Sequence, residues 1–296
     1  MTEPLQACVV GGDGLLGRAL VRALQLARVT VGSTSRRRER LGSGVQFLDL
    51  ADADAFTDAP VADVVYLCAA DPNLQRCESD PAGTRLVNVE GTCRIAERFA
   101  RAGSHLVFLS SNAVFSGQID AVAESSAVDP CNEYGRQKAE VEARLATLTP
   151  NLAVVRMNKV VSHAMPLIHQ WVLALERGKT IQPFSDLRLS PISLRYVARA
   201  LLHLGLRRHA GVFHLSGTGD VSYAEFAQRL AREIGAQAGA VHPRTSEGVA
   251  LTHRPPHARM GMDFTTAQTG LKAQSLDSVV ADLLNEEEPS MMRTQL

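Results

Sequence analysis

Gln6-Ala7-Cys8-Val9-Val10-Gly11-Gly12-Asp13-Gly14-Leu15-Leu16-Gly17 decides how the rest of the chain is read. The run from Gln6 to Gly11 predicts a short buried strand. Leu15, Leu16, Ala19, Leu20, Ala23 and Leu24 then recur at helical spacing. Strand, glycine turn and helix thus follow one another without a gap. Glycines in such a turn let the backbone bend sharply, admit a pyrophosphate to main-chain N–H groups and let the helix pack close to the strand. The N-terminal dipole of the helix favours the anion. Gly11, Gly14, Leu15, Leu16 and Gly17 are therefore candidate dinucleotide contacts. A glycine triplet alone is also an ordinary tight turn, and it is the strand before it and the helix after it that favour a dinucleotide.

Outward from this unit, a second strand is expected over Arg28 to Ser33, running into Ser33-Thr34-Ser35-Arg36-Arg37-Arg38. Chains that take the unphosphorylated dinucleotide place an acidic residue about 20 positions past the glycines to hold the ribose hydroxyls. None stands here. Ser35, Arg36 and Arg37 offer instead a hydroxyl and paired guanidinium donors, groups suited to a 2′-phosphate, so NADP (NADPH) is the expected cofactor. The same arginines would otherwise be a solvated basic run. Val45 to Leu50 predicts a third strand, with Asp49 and Leu50 at its end placed against the adenine. Asp63 to Ala70 is almost wholly apolar, as in strands buried on both faces of a parallel sheet, and its terminal Cys68, Ala69 and Ala70 are small enough to leave room for a cofactor. A long helical pattern from about Pro81 to Ala102 and a fifth strand at His105 to Ser110 follow. This alternation predicts an α/β fold with a Rossmann-type, doubly wound parallel sheet.

Ligands of such sheets lie beyond the carboxyl ends of the strands, where Ser110-Ser111-Asn112-Ala113-Val114-Phe115-Ser116-Gly117 stands. A serine hydroxyl there can polarise and orient a carbonyl, although paired serines at a strand end also make turns and caps. The next helix is expected to start at Asp129-Pro130, with Asp129 as its cap, and to end at Thr149-Pro150. It carries Tyr134 and Lys138, four residues apart and so on one face. An ammonium beside a phenol favours the phenolate, drawing a pKa of roughly 10 toward neutrality, so that the hydroxyl can trade a proton with a carbonyl oxygen. On its own the pair also describes a solvated helix face. It gains meaning from the glycine turn and the serine.

The chain has 296 residues, enough for one large α/β unit or two packed lobes. Its 31 basic and 31 acidic residues cancel, which argues against nucleic acid or an anionic membrane as a partner and makes any anion site local. Five cysteines without a C-x-x-C pair argue for a reducing compartment, without structural disulfides or zinc. No basic region followed by an apolar core opens the chain and no stretch reaches membrane-spanning length, so a soluble, cytoplasmic protein is expected. His253 and His257 are the one histidine pair that suggests a metal. Two prolines between them exclude ligation from consecutive helical turns, and no metal site is expected.

Taken together, Gly11-x-x-Gly14-x-x-Gly17, Asn88, the serine before Val114-Phe115-x-Gly117 and Tyr134-x-x-x-Lys138 resemble the extended short-chain dehydrogenase/reductase family. Within it, Cys68-Ala69-Ala70, Glu78-Ser79-Asp80-Pro81, Asn88-Val89-Glu90-Gly91-Thr92 and Pro130-x-Asn132-x-Tyr134-Gly135 look most like the dTDP-4-dehydrorhamnose reductases. The resemblance implies Tyr134 as proton donor and Ser111 as the partner of the carbonyl. It also implies that Lys138 binds the nicotinamide ribose and lowers the tyrosine pKa, and that Asn88 supports the proton path. Asn112 would stand beside the substrate. The chain also departs from the pattern. Rhamnose-pathway reductases carry a glutamate two positions after the third glycine that joins a magnesium site between subunits; here it is Ala19, and no bound magnesium is expected. The Asp-Glu pair with which sugar-nucleotide dehydratases eliminate water is replaced by Asn112-Ala113, which argues against dehydration. The reductases usually have Asp where Asn112 stands, so their substrate does not carry over automatically.

Past Pro150, Leu152 to Met157 predicts another strand, and Leu167, Ile168, Trp171, Val172 and Leu175 predict an amphipathic helix ended by Gly178, with Trp171 in a core. A helix from about Leu194 and a last strand in Gly211 to Ser216 are also expected. On the family's pattern, residues 1–157 and 187–220 form the NADP-binding domain and 158–186 and 221–296 a small C-terminal substrate-binding lobe. Arg254, at the Pro255-Pro256 turn, is a candidate for a substrate diphosphate, or else a plain surface charge. The tail from Asn285 is expected to fray. The expected activity is NADPH-dependent reduction of a keto group on a nucleotide-linked 4-keto-6-deoxy sugar. Two other readings stand beside it: a sugar-nucleotide epimerase that holds its cofactor tightly, and a non-catalytic cofactor-binding regulatory subunit like that of methionine adenosyltransferase. Relatives commonly pair through helices near 81–102 and 132–148, which suggests a homodimer.

Overall fold

Side chains along the central strands alternate between two apolar layers, and this alternation builds the molecule. In the computed structural model, which describes residues 5–56, 60–251 and 254–286, six strands precede the C-terminal half. They are β1 (Gln6–Val10), β2 (Thr30–Ser35), β3 (Val45–Phe47), β4 (Val64–Leu67), β5 (His105–Ser111) and β6 (Leu152–Met157). After the short strands β7 (Val160–Val161), β8 (Arg188–Leu189) and β9 (Ile192–Ser193) comes β10 (Gly211–Leu215), and then β11 (Val221–Ser222). The main sheet has the order β10-β6-β5-β4-β1-β2-β3, and all its pairs are parallel. The chain builds outward from β1 on one side and then returns to β4 on the other. A crevice opens between these strands at their carboxyl ends, the position where such sheets bind ligands.

The helices of the nucleotide half are α1 (Leu15–Leu26), α2 (Leu74–Ser79), α3 (Pro81–Arg85), α4 (Thr92–Arg101) and α5 (Glu133–Leu148). Cys8, Val10, Val65, Leu67, Leu106 and Phe108 point to one face of the sheet, where Ile95 and Phe99 of α4 and Val141 and Leu145 of α5 cover them. Ala7, Val9, Val64, Tyr66, Val107 and Leu109 point to the other. There they meet Leu20 and Leu24 of α1. After α6 (Pro166–Glu176), the helix α7 (Leu194–Leu206) adds Val197, Leu201 and Leu204 to that second layer. Each fully buried Leu or Phe contributes roughly 2 kcal/mol by removal from water, so both layers hold the sheet strongly. A third cluster joins α6 to α8 (Tyr223–Ile234) and, beyond α9 (Asp263–Thr269), to α10 (Leu276–Leu284). Trp171 is in that cluster, edge-on to Tyr223 with ring centroids 6.4 Å apart. Among the described residues no helix is long and apolar enough to cross a membrane.

Several boundaries differ from the sequence expectation. Arg28 takes a positive φ of 59° in the turn after α1, so β2 starts at Thr30 and ends at Ser35 instead of running from residue 28 to 33. The helix expected over 81–102 is interrupted between α3 and α4 by a π-helical segment, Leu86–Gly91, which contains Asn88. Helix α5 is capped by Asn132, whose side chain accepts from Gly135 N at 2.8 Å; Asp129 instead accepts from Ser116 N at 2.9 Å and from the Ser116 hydroxyl. His253, the first four residues and the tail past residue 286 lie outside the described residues.

Candidate active site

The glycine turn is held by its own N–H groups, and this leaves the start of α1 open toward the crevice. Gly11 has a φ of +82°, and its N–H donates to the Thr34 hydroxyl at 3.1 Å, while Gly12 N donates to Thr34 O at 2.9 Å. These bonds pin the turn to β2. A Cβ on Gly17 would lie 2.1 Å from the Gly11 carbonyl oxygen, so this position tolerates only glycine if α1 is to stay against β1. Gly14 caps α1 without any side-chain bond.

In front of the turn lies a cavity of about 190 Å3. Gly11, Gly14, Ser35, Arg36, Arg37, Asp49, Leu50, Cys68, Ala69 and Ala70 all line it, together with Val10, Asp13, Thr34, Leu48 and Val87, which the sequence had not singled out as contacts. Of the expected contacts, Leu15, Leu16, Gly17, Tyr134 and Lys138 are not on its walls. Leu16 packs in the second apolar layer, and Leu15 faces a groove of about 830 Å3 with Ala19 and four arginines, Arg18, Arg22, Arg195 and Arg199. Arg36 is exposed and makes no ion pair or hydrogen bond among the described residues; Arg37 lies 3.5 Å from the Asp13 carboxylate. Asp49 accepts from Ala51 N at 3.0 Å and so caps the 3-10 turn Leu50–Ala55. The residues fit a phosphorylated dinucleotide: the uncapped first turn of α1, the Arg36 guanidinium at the end of β2, without a partner among the described residues, and small side chains after β4.

At the ends of β5 and α5 the second group of candidates assembles. Ser111 caps the 3-10 turn Asn112–Val114, its hydroxyl accepting from Ala113 N at 3.1 Å and donating to Asn112 Oδ1 at 3.4 Å. Gly135 lies against the same turn, so closely that a Cβ would come within 2.0 Å of the Ala113 carbonyl oxygen. The turn bearing Ser111 and the helix turn bearing Tyr134 are therefore in direct contact. Lys138 is 3% exposed. Its Nζ donates to Leu109 O at 2.9 Å, 4.7 Å from the centre of the Phe108 ring and 5.7 Å from that of Tyr134. Burial draws its pKa down to about 8, with Glu142, Cys68 and Cys77 acting the other way. The Tyr134 phenol is pushed above its ordinary value, first by burial and then by Cys77 and Asp71. Burial, which disfavours the phenolate, is the largest of these effects. A phenol held in its protonated form is the one a proton donor requires.

Asn88, buried within the π segment, donates to Asp71 O at 3.0 Å and to Gln137 Oε1 at 2.8 Å, and accepts from Asp71 N at 2.7 Å. It ties α5 to the loop after β4. Asn112 lines a small pocket with Phe115, Gly117, His257 and Arg259. Arg254 does not line it. Its Nη2 donates to Val249 O at 2.7 Å and Ser246 O at 3.1 Å, within its own loop. Asp120, Asp220 and His257 bring ligand atoms within 4.8 Å of one another, but Asp120 is paired with Arg259 at 2.6 Å and Asp220 accepts from Arg259 N at 2.7 Å.

A seven-stranded parallel sheet with a glycine turn opening on its crevice defines a Rossmann-type dinucleotide-binding fold. The chain belongs to the family described as RmlD substrate binding domain, whose model matches residues 6–288. That agrees with the reductase resemblance carried by the motifs around Tyr134. A dTDP-4-keto-6-deoxy-D-glucose reductase from Streptomyces niveus is 27% identical, with 86% of this chain and 88% of the relative covered. Methionine adenosyltransferase 2 subunit beta from Xenopus tropicalis is 28% identical, with 84% and 78% covered. The crystal structure of dTDP-4-dehydrorhamnose reductase from Bacillus anthracis in complex with NADP superimposes with a TM-score of 0.84 over 95% of this chain and 99% of the other, at 19% identity, a likeness of fold.

Proposed function

We propose that the protein is an NADPH-dependent reductase of a keto group, on a nucleotide-linked 4-keto-6-deoxy sugar. The observation that carries the reading is the single cavity joining the Gly11–Gly14 turn to Ser35, Arg36 and Arg37, with no acidic residue at the end of β2. The N–H groups of the first turn of α1 would hold the pyrophosphate and Arg36 the 2′-phosphate. Bound there, the nicotinamide supplies the hydride. Tyr134 gives its phenolic proton to the carbonyl oxygen, which the Ser111 hydroxyl holds by a hydrogen bond. Lys138, as an ammonium, donates to the ribose and steadies the phenol. The reductases among the relatives support the substrate class.

The decisive assay follows NADPH absorbance across a panel of keto nucleotide sugars, with Tyr134→Phe as control. Turnover should vanish in that variant while NADPH affinity stays nearly unchanged. Undiminished turnover would remove Tyr134 as proton donor. The likeness to methionine adenosyltransferase 2 subunit beta favours a second reading, a cofactor-binding subunit without catalysis. On that reading the wild-type protein binds NADPH tightly and oxidises it with none of the sugars.

A further inference from the structure

Lys138 and Glu142 stand one helical turn apart on the buried face of α5, and both reach neighbouring residues of β5. The ammonium donates to Leu109 O at 2.9 Å, and the carboxylate accepts from the Ser110 hydroxyl. Behind the carboxylate is Arg156 of β6, 5% exposed, with Nη2 at 2.7 Å and Nε at 3.1 Å from it. The guanidinium is itself held, by the Glu124 carbonyl at 3.3 Å and by the Phe115 ring, 5.0 Å from its centre. Taking two such charges out of water costs several kcal/mol per ion, and an apolar pair of similar volume would hold the fold as well. Packing therefore gives no reason for a carboxylate at this spot. Its neighbour, a buried lysine facing the reaction site, does.

We propose that Glu142 is a positioning residue for Lys138: anchored by Arg156 and Ser110, its carboxylate is the counter-charge that keeps the buried lysine an ammonium, aimed along β5 toward the cofactor ribose. The inference deepens the reductase reading and rests on the role of Lys138 in it. The ammonium and the carboxylate make no direct ion pair, and the Arg156 guanidinium behind the carboxylate works against it; the other groups around the lysine are weaker still. Cys68 after β4 and Cys77 of α2 are thiols, Tyr134 is a protonated phenol, and β5 offers only the Leu109 carbonyl and the Phe108 ring. Of the groups that favour the charged lysine, Glu142 acts most strongly.

The chain has four lysines, Lys138, Lys159, Lys179 and Lys272, so NMR of isotope-labelled lysine side chains can follow each titration, with Lys138→Arg assigning the signal. Glu142→Gln should lower the Lys138 midpoint by about one unit or more, and Glu142→Asp, which keeps the charge, should leave it near the wild-type value. An unchanged midpoint in folded Glu142→Gln overturns the proposal. Should that variant strand Arg156 and fail to fold, the double variant Glu142→Gln/Arg156→Met is compared with Arg156→Met, the two differing only in the carboxylate, and an equal Lys138 midpoint in the two overturns the proposal. The titration needs no substrate, so its failure is separate from a failure of the reductase reading, which the sugar panel decides. Where that reading holds, the alkaline fall in turnover moves to lower pH in Glu142→Gln in step with the lysine, a change that a merely structural role would not cause.

Discussion

At the end of β2, Arg36 lines the same cavity as the glycine turn, without a protein partner among the described residues, while Arg37 already has Asp13. A charge-assisted bond to a phosphate contributes about 1.5–3 kcal/mol. Arg36→Ala should therefore weaken NADPH binding roughly ten- to hundred-fold and leave NADH binding almost unchanged, as fluorescence titration of the two cofactors would read. Equal losses for both would move the phosphate contact to another residue. Arg36 was legible because its place follows from counting past the glycines. The upward shift of the Tyr134 phenol was not: the four-residue spacing to Lys138 is a local fact, whereas the shift comes from burial and then from the charges of Cys77 and Asp71, remote in sequence. Thr34 was visible as one of a run of hydroxyls, but its bond to Gly11 N needed the register of β1 with β2.

At the scale of elements, the helix α5 owes its position to the contact of Gly135 with the Ala113 carbonyl. Gly135→Ala forces helix and turn apart, with an expected loss of roughly 1–3 kcal/mol of stability by chemical denaturation. Turnover should fall further than stability explains, because Tyr134 moves away from Ser111. A variant with wild-type stability and turnover would show that the turn yields without cost. The apolar runs of β1, β5 and β6 announced themselves, since strands buried on both faces leave little choice of residue. Caps were less legible. Asp129-Pro130 satisfies the local rule for a helix start, yet Ser116, thirteen residues earlier, claims the aspartate and leaves the cap to Asn132. The π segment had no sequence signal, for its extra residue serves the bonds of Asn88 to Asp71 and Gln137.

Across the whole molecule, two buried histidines set the acid limit. Burial at the start of β5 draws His105 down to about 4, and burial also lowers His214 on β10. Both are neutral in the folded protein at pH values where the unfolded chain, titrating near 6.5, already binds protons. The unfolded state thus holds more protons between about pH 6.5 and 4, and stability must fall as the pH falls through that window. Melting temperatures should decline steadily from pH 7 to 4.5; a flat profile would mean that these rings take up protons without unfolding. The fold of the sheet was readable from one end to the other. The second half was less so, because its contacts join residues far apart, such as Asp120 with Arg259, and Arg254 turned to its own loop.

The sheet closes late. Strand β10 lies against β6 in parallel register, Gly211 beside Ala153 and Leu215 beside Met157, but the polypeptide makes a long excursion before it returns. Until Gly211 to Leu215 have left the ribosome, one side of Leu152 to Met157 is an unpaired, apolar rim that another nascent polypeptide could join. The opposite rim, β3, is only three residues long and offers far less to adhere to. During synthesis six strands of the sheet can therefore be in place while this rim is still adhesive, and a chaperone's help would count most there.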